Sequence, residues 1–253
     1  MAERVMVPAQ RRQRILNAVR TGTAHVSDLA RAFDVSEMTV RRDLRALQDA
    51  GQLERVHGGA VHTIPERPFA EIALEGQEAK DRIGRAAAQL VQDGQTVMLD
   101  IGTTALQVAR HLRGRDITLI TTNLAVLDEL RADDAVQLVL PGGLVRRNYL
   151  STVGVLAEDA LRQLNADVAF LGTSAVDQDL SVWDTTMIEV PIKRAMIGAA
   201  ARVVLVADSE KFSMNGVVRI CGPEDLDQIV TDADLPAGDR SAIEDAGIEV
   251  TIA

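Results

Sequence analysis

The stretch from Ser36 to Leu47 has the hydrophobic pattern of one helix with two different faces. Its apolar positions follow the four-then-three spacing of a buried stripe: Val40, Leu44 and Leu47. The other face carries Met38 and three guanidinium groups, those of Arg41, Arg42 and Arg45. Ser36 suits the N-cap, and Gly51 suits the position just past the end of the helix. Taken alone, the pattern is consistent with a DNA recognition helix and with a solvated surface helix.

The neighbouring residues predict the rest of a winged helix-turn-helix domain. One helix is predicted over Pro8 to Val19. The next has apolar residues at i, i+3, i+4 and i+7: Val26, Leu29, Ala30 and Phe33. Only a short turn separates it from Ser36, which is typical of a helix-turn-helix. After Gly51, the sequence LERVHGGAVH predicts a hairpin of two short strands, the wing, because paired glycines adopt the positive φ of tight turns. We assign this domain to residues 1–62.

The remainder of the chain alternates short apolar runs with helical patterns. The runs predicted as strands are TVMLD, DITLIT, VQLVL, ADVAFLG, RVVLVAD, QIVTD and GIEVTI. Continuous apolar strands between helices indicate a doubly wound, mostly parallel sheet that is covered on both faces. Residues 63–75 contain Pro65 and Pro68 without a clear period, so we predict a linker there and an α/β domain over 76–253.

Charge is distributed unevenly over the 253 residues, although the net charge of −10 by itself argues against nucleic-acid binding. Residues 1–62 contain 10 Arg and 7 Asp plus Glu, which leaves +3 there and −13 in the rest of the chain. Arginine is the cation best suited to phosphates and guanine edges. No apolar run has the length of a membrane span, and Cys221 is the single cysteine, so we expect a cytoplasmic protein without disulfides or a Cys-rich metal site.

Small and polar residues stand where the predicted strands end, which is where open α/β sheets bind ligands. The groups are Asp100 to Thr104, Thr121 to Asn123, Pro141 to Gly143, Gly172 to Ser174 and Asp208 to Lys211. The first could cradle a phosphate at a helix N-terminus. Each group alone is equally typical of a turn. Together their hydroxyls, amide, acids and lysine indicate a small polyol phosphate rather than an apolar ligand.

The motif VSEMTVRRDLRALQDAGQLERVHGGAV, preceded by RRQRILNAV, resembles the DNA-binding domain of the DeoR family of transcription regulators. With the exposed face described above, the resemblance implies this DNA-binding set: Ser36, Met38, Thr39, Arg41, Arg42, Arg45, Arg55 and His57. Gly58 and Gly59 would form the wing turn. Asp43 is more typical of an acid that orients an arginine than of a base contact, and His57 is equally consistent with a hairpin residue that binds nothing.

The second domain resembles the sensor domain of the same family, which is similar in fold to ribose-phosphate isomerase and glucosamine-phosphate deaminase. The resemblance implies an effector site formed by Asp100, Gly102, Thr103, Thr104, Asn123, Gly142, Gly143, Lys193, Asp208 and Lys211. The threonine loop and Lys211 would hold phosphate, while Asp100, Asn123 and Asp208 would face sugar hydroxyls. Glu189 also matches the family, although a helix-entry role is at least as typical of its position. The segment 181–185 agrees least with the family pattern and leaves the sugar open.

We interpret the protein as a transcription regulator, most often a repressor in such families, that responds to a phosphorylated sugar or polyol. The alternative is a sugar-phosphate isomerase, for which Asp100, Glu189 or Asp208 would supply the base. A DNA-binding architectural protein does not explain the polar groups at the sheet edge. The expected partners are operator DNA and the effector, with no metal, cofactor or membrane. Two-fold operators predict a homodimer or homotetramer.

Overall fold

The computed structural model describes residues 11–12, 14–15, 24–33, 35–49, 54–56, 59–61 and 67–253. The chain divides into two compact units, Met1–Glu66 and Arg67–Ala253. Residues 11–12 and 14–15 are helical, as predicted, and the rest of the helix predicted over 8–19 lies outside the described residues. Gly51, His57 and Gly58 also lie outside them.

The first unit contains the predicted helix-turn-helix and both strands of the wing. Its elements are β1 (Ala24–His25), α1 (Val26–Ala32), α2 (Glu37–Asp49), β2 (Glu54–Val56) and β3 (Gly59–Val61). The strands form an antiparallel sheet in the order β1-β3-β2, in which β1 was not predicted. The predicted apolar stripes meet in one small core: Ile15, Val26, Leu29, Val40, Leu44 and Leu47. Burial of these stripes positions α2, because a helix of this size is marginal in water without tertiary packing.

The second unit is built from strands and helices in alternation. Its strands are β4 (Thr96–Leu99), β5 (Ile117–Thr121), β6 (Val136–Val139), β7 (Leu144–Arg146), β8 (Ser151–Val153), β9 (Val168–Leu171), β10 (Ala175–Val176), β11 (Val182–Asp184), β12 (Val203–Val206), β13 (Val218–Cys221), β14 (Gln228–Thr231) and β15 (Glu249–Ile252). Its α-helices are α3 (Phe69–Ile72), α4 (Gln77–Ala88), α5 (Thr103–His111), α6 (Leu124–Leu130), α7 (Val155–Arg162), α8 (Val190–Ala199) and α9 (Ala237–Asp245).

Seven of these strands form one parallel sheet in the order β15-β14-β12-β9-β4-β5-β6, which confirms the predicted α/β class. Successive residues of β4 enter different cores: Met98 lies in one cluster, and Val97 and Leu99 lie in the other. Both faces of the sheet are therefore covered. The strand order reverses between β4 and β9, and such a switch point opens a crevice at the carboxyl ends of the two strands.

Smaller elements complete the second unit and were not predicted. They are the hairpin β7–β8, the antiparallel sheet β10-β11-β13, and α9. Within the segment predicted as a linker, Phe69–Ile72 form α3, and Phe69 is buried. The Phe69 ring packs edge-on against Tyr149 at 6.1 Å, and its amide donates to the Asn148 carbonyl at 2.8 Å. No helix in the described ranges is long and apolar enough to cross a membrane.

Candidate functional site

The helix α2 begins at a side-chain cap. The Ser36 hydroxyl oxygen accepts the Thr39 amide at 3.2 Å and lies 2.9 Å from the Thr39 hydroxyl, so both residues serve the helix start that the sequence predicts. Arg41, Arg42 and Arg45 are exposed on the outer face, and so is Met38. Arg41 donates to Glu37 at 3.0 Å, whereas Arg42 and Arg45 have no ion pair with a described residue. The predicted arginine face is therefore presented to solvent.

Asp43 belongs to the same helix but is fully buried. Its carboxylate accepts from Arg11 Nε at 2.6 Å and from Arg12 Nε at 3.1 Å. Asp43 is thus an acid that pairs with arginines, and its partners come from residues 11–12 rather than from α2. Of the predicted wing residues, Arg55 lies on β2 and Gly59 begins β3.

At the switch point, the groups that follow β4 and β9 are joined by one buried lysine. Asp100 follows β4, and its Oδ2 accepts the Gly172 amide at 2.9 Å and the Lys193 ammonium. Lys193 also donates to the Gly172 carbonyl at 3.0 Å and lies 3.7 Å from Asp184. Burial alone lowers the pKa of Lys193, but Asp100 and Asp184 outweigh it and raise that pKa above its usual value. The ammonium is therefore charged and fixed between two carboxylates.

The loop of Gly102, Thr103 and Thr104 enters α5 without a side-chain cap. Gly102 has φ of +105°, which L-residues rarely adopt, and its carbonyl accepts the Leu106 amide at 3.2 Å. In the described part of the chain, the amides of Thr103, Thr104 and Ala105 have no acceptor. A helix N-terminus with unsatisfied amides attracts anions, and the phosphate expected here stays a prediction.

Asn123 is buried, and its side chain is already engaged with the backbone. Its Oδ1 accepts from Ala125 and Val126 as the N-cap of α6. Its Nδ2 donates to the carbonyls of Asp100 and Gly102 at 3.4 and 3.2 Å. The amide therefore holds the two loops next to each other, which is a positioning role that the sequence did not indicate.

Glu189 is the N-cap residue of α8, the helix-entry position anticipated from the sequence. It is fully buried, and its Oε1 accepts from Arg146 of β7 and from the Ser151 hydroxyl at 2.7 Å. Burial raises the pKa of Glu189 above its usual value, although the Arg146 charge opposes the shift. Arg146 in turn lies 5.6 Å from the centroid of the Tyr149 ring.

The other predicted residues are less closely connected to this cluster. A Cβ on Gly143 would stand 2.5 Å from the Val153 carbonyl oxygen, so Gly143 lets the backbone approach β8, and Gly142 is exposed with open space around it. Asp208 is buried at the carboxyl end of β12, and Lys211 is half-buried with its ammonium 3.8 Å from Met214 Sδ. The structure shows no direct contact between these two residues and Asp100 or Lys193.

Sequence reasoning missed Lys80 and Asp184. Lys80 is buried, and its ammonium donates to the Ile72 and Glu75 carbonyls at 3.0 and 2.7 Å. Burial lowers the pKa of Lys80, Asp208 counteracts this, and Lys211 adds to it, so the three charges are electrostatic neighbours. A lone lysine among the polar residues of the first turn of α4 gave no signal of burial. Asp184 lies in the segment 181–185, which agrees least with the family pattern. That disagreement was the available sign that the segment differs in role.

Three carboxylates at this edge each retain a buried oxygen without a hydrogen-bond partner among the described residues: Asp100 Oδ1, Glu189 Oε2 and Asp208 Oδ1. Buried acceptors are normally paired, and hydroxyl groups are donors that satisfy them. The edge therefore combines free carboxylate acceptors with the uncapped start of α5. No group of three or more His, Cys, Asp or Glu in the described ranges is arranged to hold a metal ion.

A winged helix-turn-helix with an exposed arginine face, followed by an α/β unit with a polar switch point, defines a ligand-responsive DNA-binding regulator. Residues 11–64 match the family described as DeoR-like helix-turn-helix domain, and residues 75–233 match the DeoR C-terminal sensor domain. The chain belongs to the DeoR family of transcriptional regulators.

Curated relatives cover nearly the whole chain. The HTH-type transcriptional regulator GlpR of Haloferax volcanii is 35% identical over 97% of this chain and 98% of its own length. The glycerol-3-phosphate regulon repressor of Escherichia coli K12 is 31% identical over 98% of this chain and all of its own length. Among solved structures, ribose 5-phosphate isomerase A from Methanocaldococcus jannaschii is 18% identical over 55% of each chain, with a TM-score of 0.41. A likeness at that level carries no conclusion about activity.

Proposed function

We propose that this protein acts in the cytoplasm as a DNA-binding transcriptional repressor of a carbohydrate-metabolism operon, and that a phosphorylated sugar or polyol changes its operator affinity. The observation that carries the effector proposal is the set of buried carboxylate oxygens on Asp100, Glu189 and Asp208 that lack partners among the described residues. Sugar hydroxyls donate to such acceptors, and the uncapped start of α5 attracts a phosphate. The glycerol-3-phosphate regulon repressor among the relatives supports a phosphate ester.

In this proposal the predicted residues have three roles. Thr103, Thr104 and Lys211 bind the phosphate, and Gly102 supplies the backbone bend that exposes the amides of α5. Asp100 and Asp208 accept from hydroxyl groups. Asn123, Gly143 and Lys193 shape the site through the backbone and ion-pair contacts described above rather than through free polar atoms, and Gly142 leaves open space where a side chain would stand.

The site binds its ligand without converting it. Aldose-ketose isomerisation needs a carboxylate base beside the reacting carbons. Asp100 is ion-paired with Lys193, and Glu189 with Arg146, so a proton taken up by either carboxylate would remove the negative member of a buried ion pair. No cofactor is part of the proposed function.

DNA binding is tested by Arg42→Ala, since Arg42 is exposed on α2 without an ion pair among the described residues. We expect operator binding to weaken by about 1–3 kcal/mol if the guanidinium contacts a base edge, or to lose salt dependence if it contacts phosphate. The measurement is fluorescence anisotropy on a duplex selected from random DNA by the wild type. Arg85→Ala, which removes an exposed arginine of α4, is the matched control and should bind normally. Equal affinity of Arg42→Ala and wild type would remove α2 from the interface.

Effector binding is tested by Lys211→Ala. Loss of a charge-assisted contact to phosphate should weaken the stabilising sugar phosphate about 10- to 100-fold in a thermal-shift titration, because such a contact contributes about 1.5–3 kcal/mol. Operator binding without effector should stay unchanged, so that the variant remains on DNA at effector concentrations that release the wild type. Arg240→Ala on α9 is the control. A variant that loses operator binding without ligand would show that Lys211 is structural.

A further inference from the structure

The strand β7 protrudes from the second unit. In a half-buried strand one of two successive side chains points into the core. In β7, however, Leu144 is 66% exposed and the next residue, Val145, is 49% exposed. Within the described part of the chain, β8 is the only strand that pairs with β7. Among the described residues no strand pairs with the other edge of β7, and β7 carries two large exposed apolar side chains.

Exposed apolar residues continue on both sides of this edge. Leu144 pairs with Val153, after which α7 begins with Val155 and Leu156, which are 65% and 71% exposed. The Cβ position of Gly143 lies 3.3 Å from Ala157 Cβ, so the start of β7 lies against the first turn of α7. Met187 and Ile188, also exposed, precede Glu189, which bonds to Arg146 of β7. We call the set Leu144, Val145, Val155, Leu156, Met187 and Ile188 the edge patch.

We infer that the edge patch is a two-fold interface, in which β7 pairs antiparallel with β7 of a second copy of this chain. A closed dimer places the same surface on both partners, and antiparallel strands are the arrangement that a two-fold axis generates from one edge strand. With the axis at Val145, the two Val145 side chains meet, and Leu144 of each copy lies opposite Arg146 of the other. Each Arg146 then lies opposite a leucine and not opposite the second Arg146, so like charges do not meet.

The size of the edge patch fits a second copy of this chain. From the exposed fractions of its six side chains, it presents an area on the order of 600 Å², the upper end of the range for the largest patch on a monomer. A standard interface buries about 800 Å² on each partner. The paired backbone of β7 and the residues around the edge patch therefore need to supply only about a quarter of that area. Arg146 is already held by Glu189, which fixes the strand before pairing and reduces the entropy lost on association.

This interface would supply the two-fold symmetry that the proposed operator binding requires. It also lies next to the proposed effector site, since Glu189 bonds to Arg146 of β7 and leaves its second oxygen unpaired among the described residues. The inference concerns the assembly of the chain, and it is tested without DNA or effector.

The experiment introduces charges at the axis of the full-length protein. Val145→Asp and Val145→Lys each place two like charges opposite each other, so each variant alone should have half the wild-type mass in light scattering after size exclusion. A one-to-one mixture of the two variants places unlike charges together and should return the wild-type mass. Val145 is half exposed, so both variants should still fold, with the wild-type circular-dichroism spectrum and one cooperative melting transition. Leu74→Asp is the matched control, because Leu74 is 74% exposed outside the edge patch, and its mass should not change.

A wild-type protein that is monomeric throughout would overturn the inference, and so would variants that keep the full mass. Halved masses without recovery in the mixture would overturn the two-fold geometry with Val145 at the axis. Operator and effector binding are measured separately by the Arg42 and Lys211 variants, so a failure of the interface is distinguishable from a failure of the proposed function.

Discussion

Asp43 and Arg42 are neighbours in α2 and have opposite surroundings. Arg42 is exposed, whereas Asp43 is buried and bonded to Arg11 and Arg12. The spacing of apolar and charged residues along α2 predicted the exposed face of the helix. It did not predict the partners of Asp43, because Arg11 lies 32 positions earlier in the chain. Asn123 shows the same limit, since only the folded loops reveal that its amide is already bonded to Asp100 and Gly102.

At the scale of single residues, we expect Asp43→Asn to destabilise the first unit. Removing the carboxylate charge breaks the buried Arg11–Asp43 ion pair, and breaking a buried pair in this way costs about 3–5 kcal/mol. The measurement is the urea concentration at which operator binding is lost. Glu37→Gln is the control, because its ion pair with Arg41 is exposed and such pairs contribute at most about 1 kcal/mol. A midpoint equal to that of Glu37→Gln would show that the Asp43 pair contributes little.

Elements differed in how well the sequence predicted them, and the reason is the length of their apolar pattern. The inner strands of the parallel sheet were predicted because they are apolar runs that are buried on both faces, as in β9 and β12. The short strands β10, β11 and β13 have only two to four residues, and β11 pairs with β13 across a long separation, as Val182 does with Cys221. No local pattern distinguishes them from loops. The same holds for α3, whose proline-containing context indicated a linker although Phe69 is buried.

For the molecule as a whole, the strand order determines which polar residues meet. It places Asp100 and Gly172, 72 positions apart, in a hydrogen bond of 2.9 Å at the switch point. The sequence predicted that this edge would carry the ligand site, because each strand end was visible as a change from apolar to polar residues. It could not show which acids would be ion-paired, since that depends on Lys193 and Arg146, which other elements contribute.

A regulator must leave its effector unchanged, so we expect no turnover. Incubation of the protein with the sugar phosphate that stabilises it, followed by NMR of the sugar, should show no aldose-ketose exchange above a buffer control. The physical reason is that the lysine and arginine partners hold Asp100 and Glu189 in buried ion pairs. Exchange that disappears in Asp208→Asn would instead favour the isomerase.

The strand order also has a consequence during synthesis of the chain on the ribosome. β4, β5 and β6 are consecutive, so one half of the sheet can form early, but the other side of β4 pairs with β9, and Val168 follows its partner Val97 by 71 positions. Chain synthesis adds about 5–20 residues per second, so the edge of β4 stays unpaired for roughly 4–14 s before β9 has been made. During that interval it can pair with other nascent chains or with chaperones. The pace of translation is therefore one of the factors that set how much of this protein reaches its native sheet.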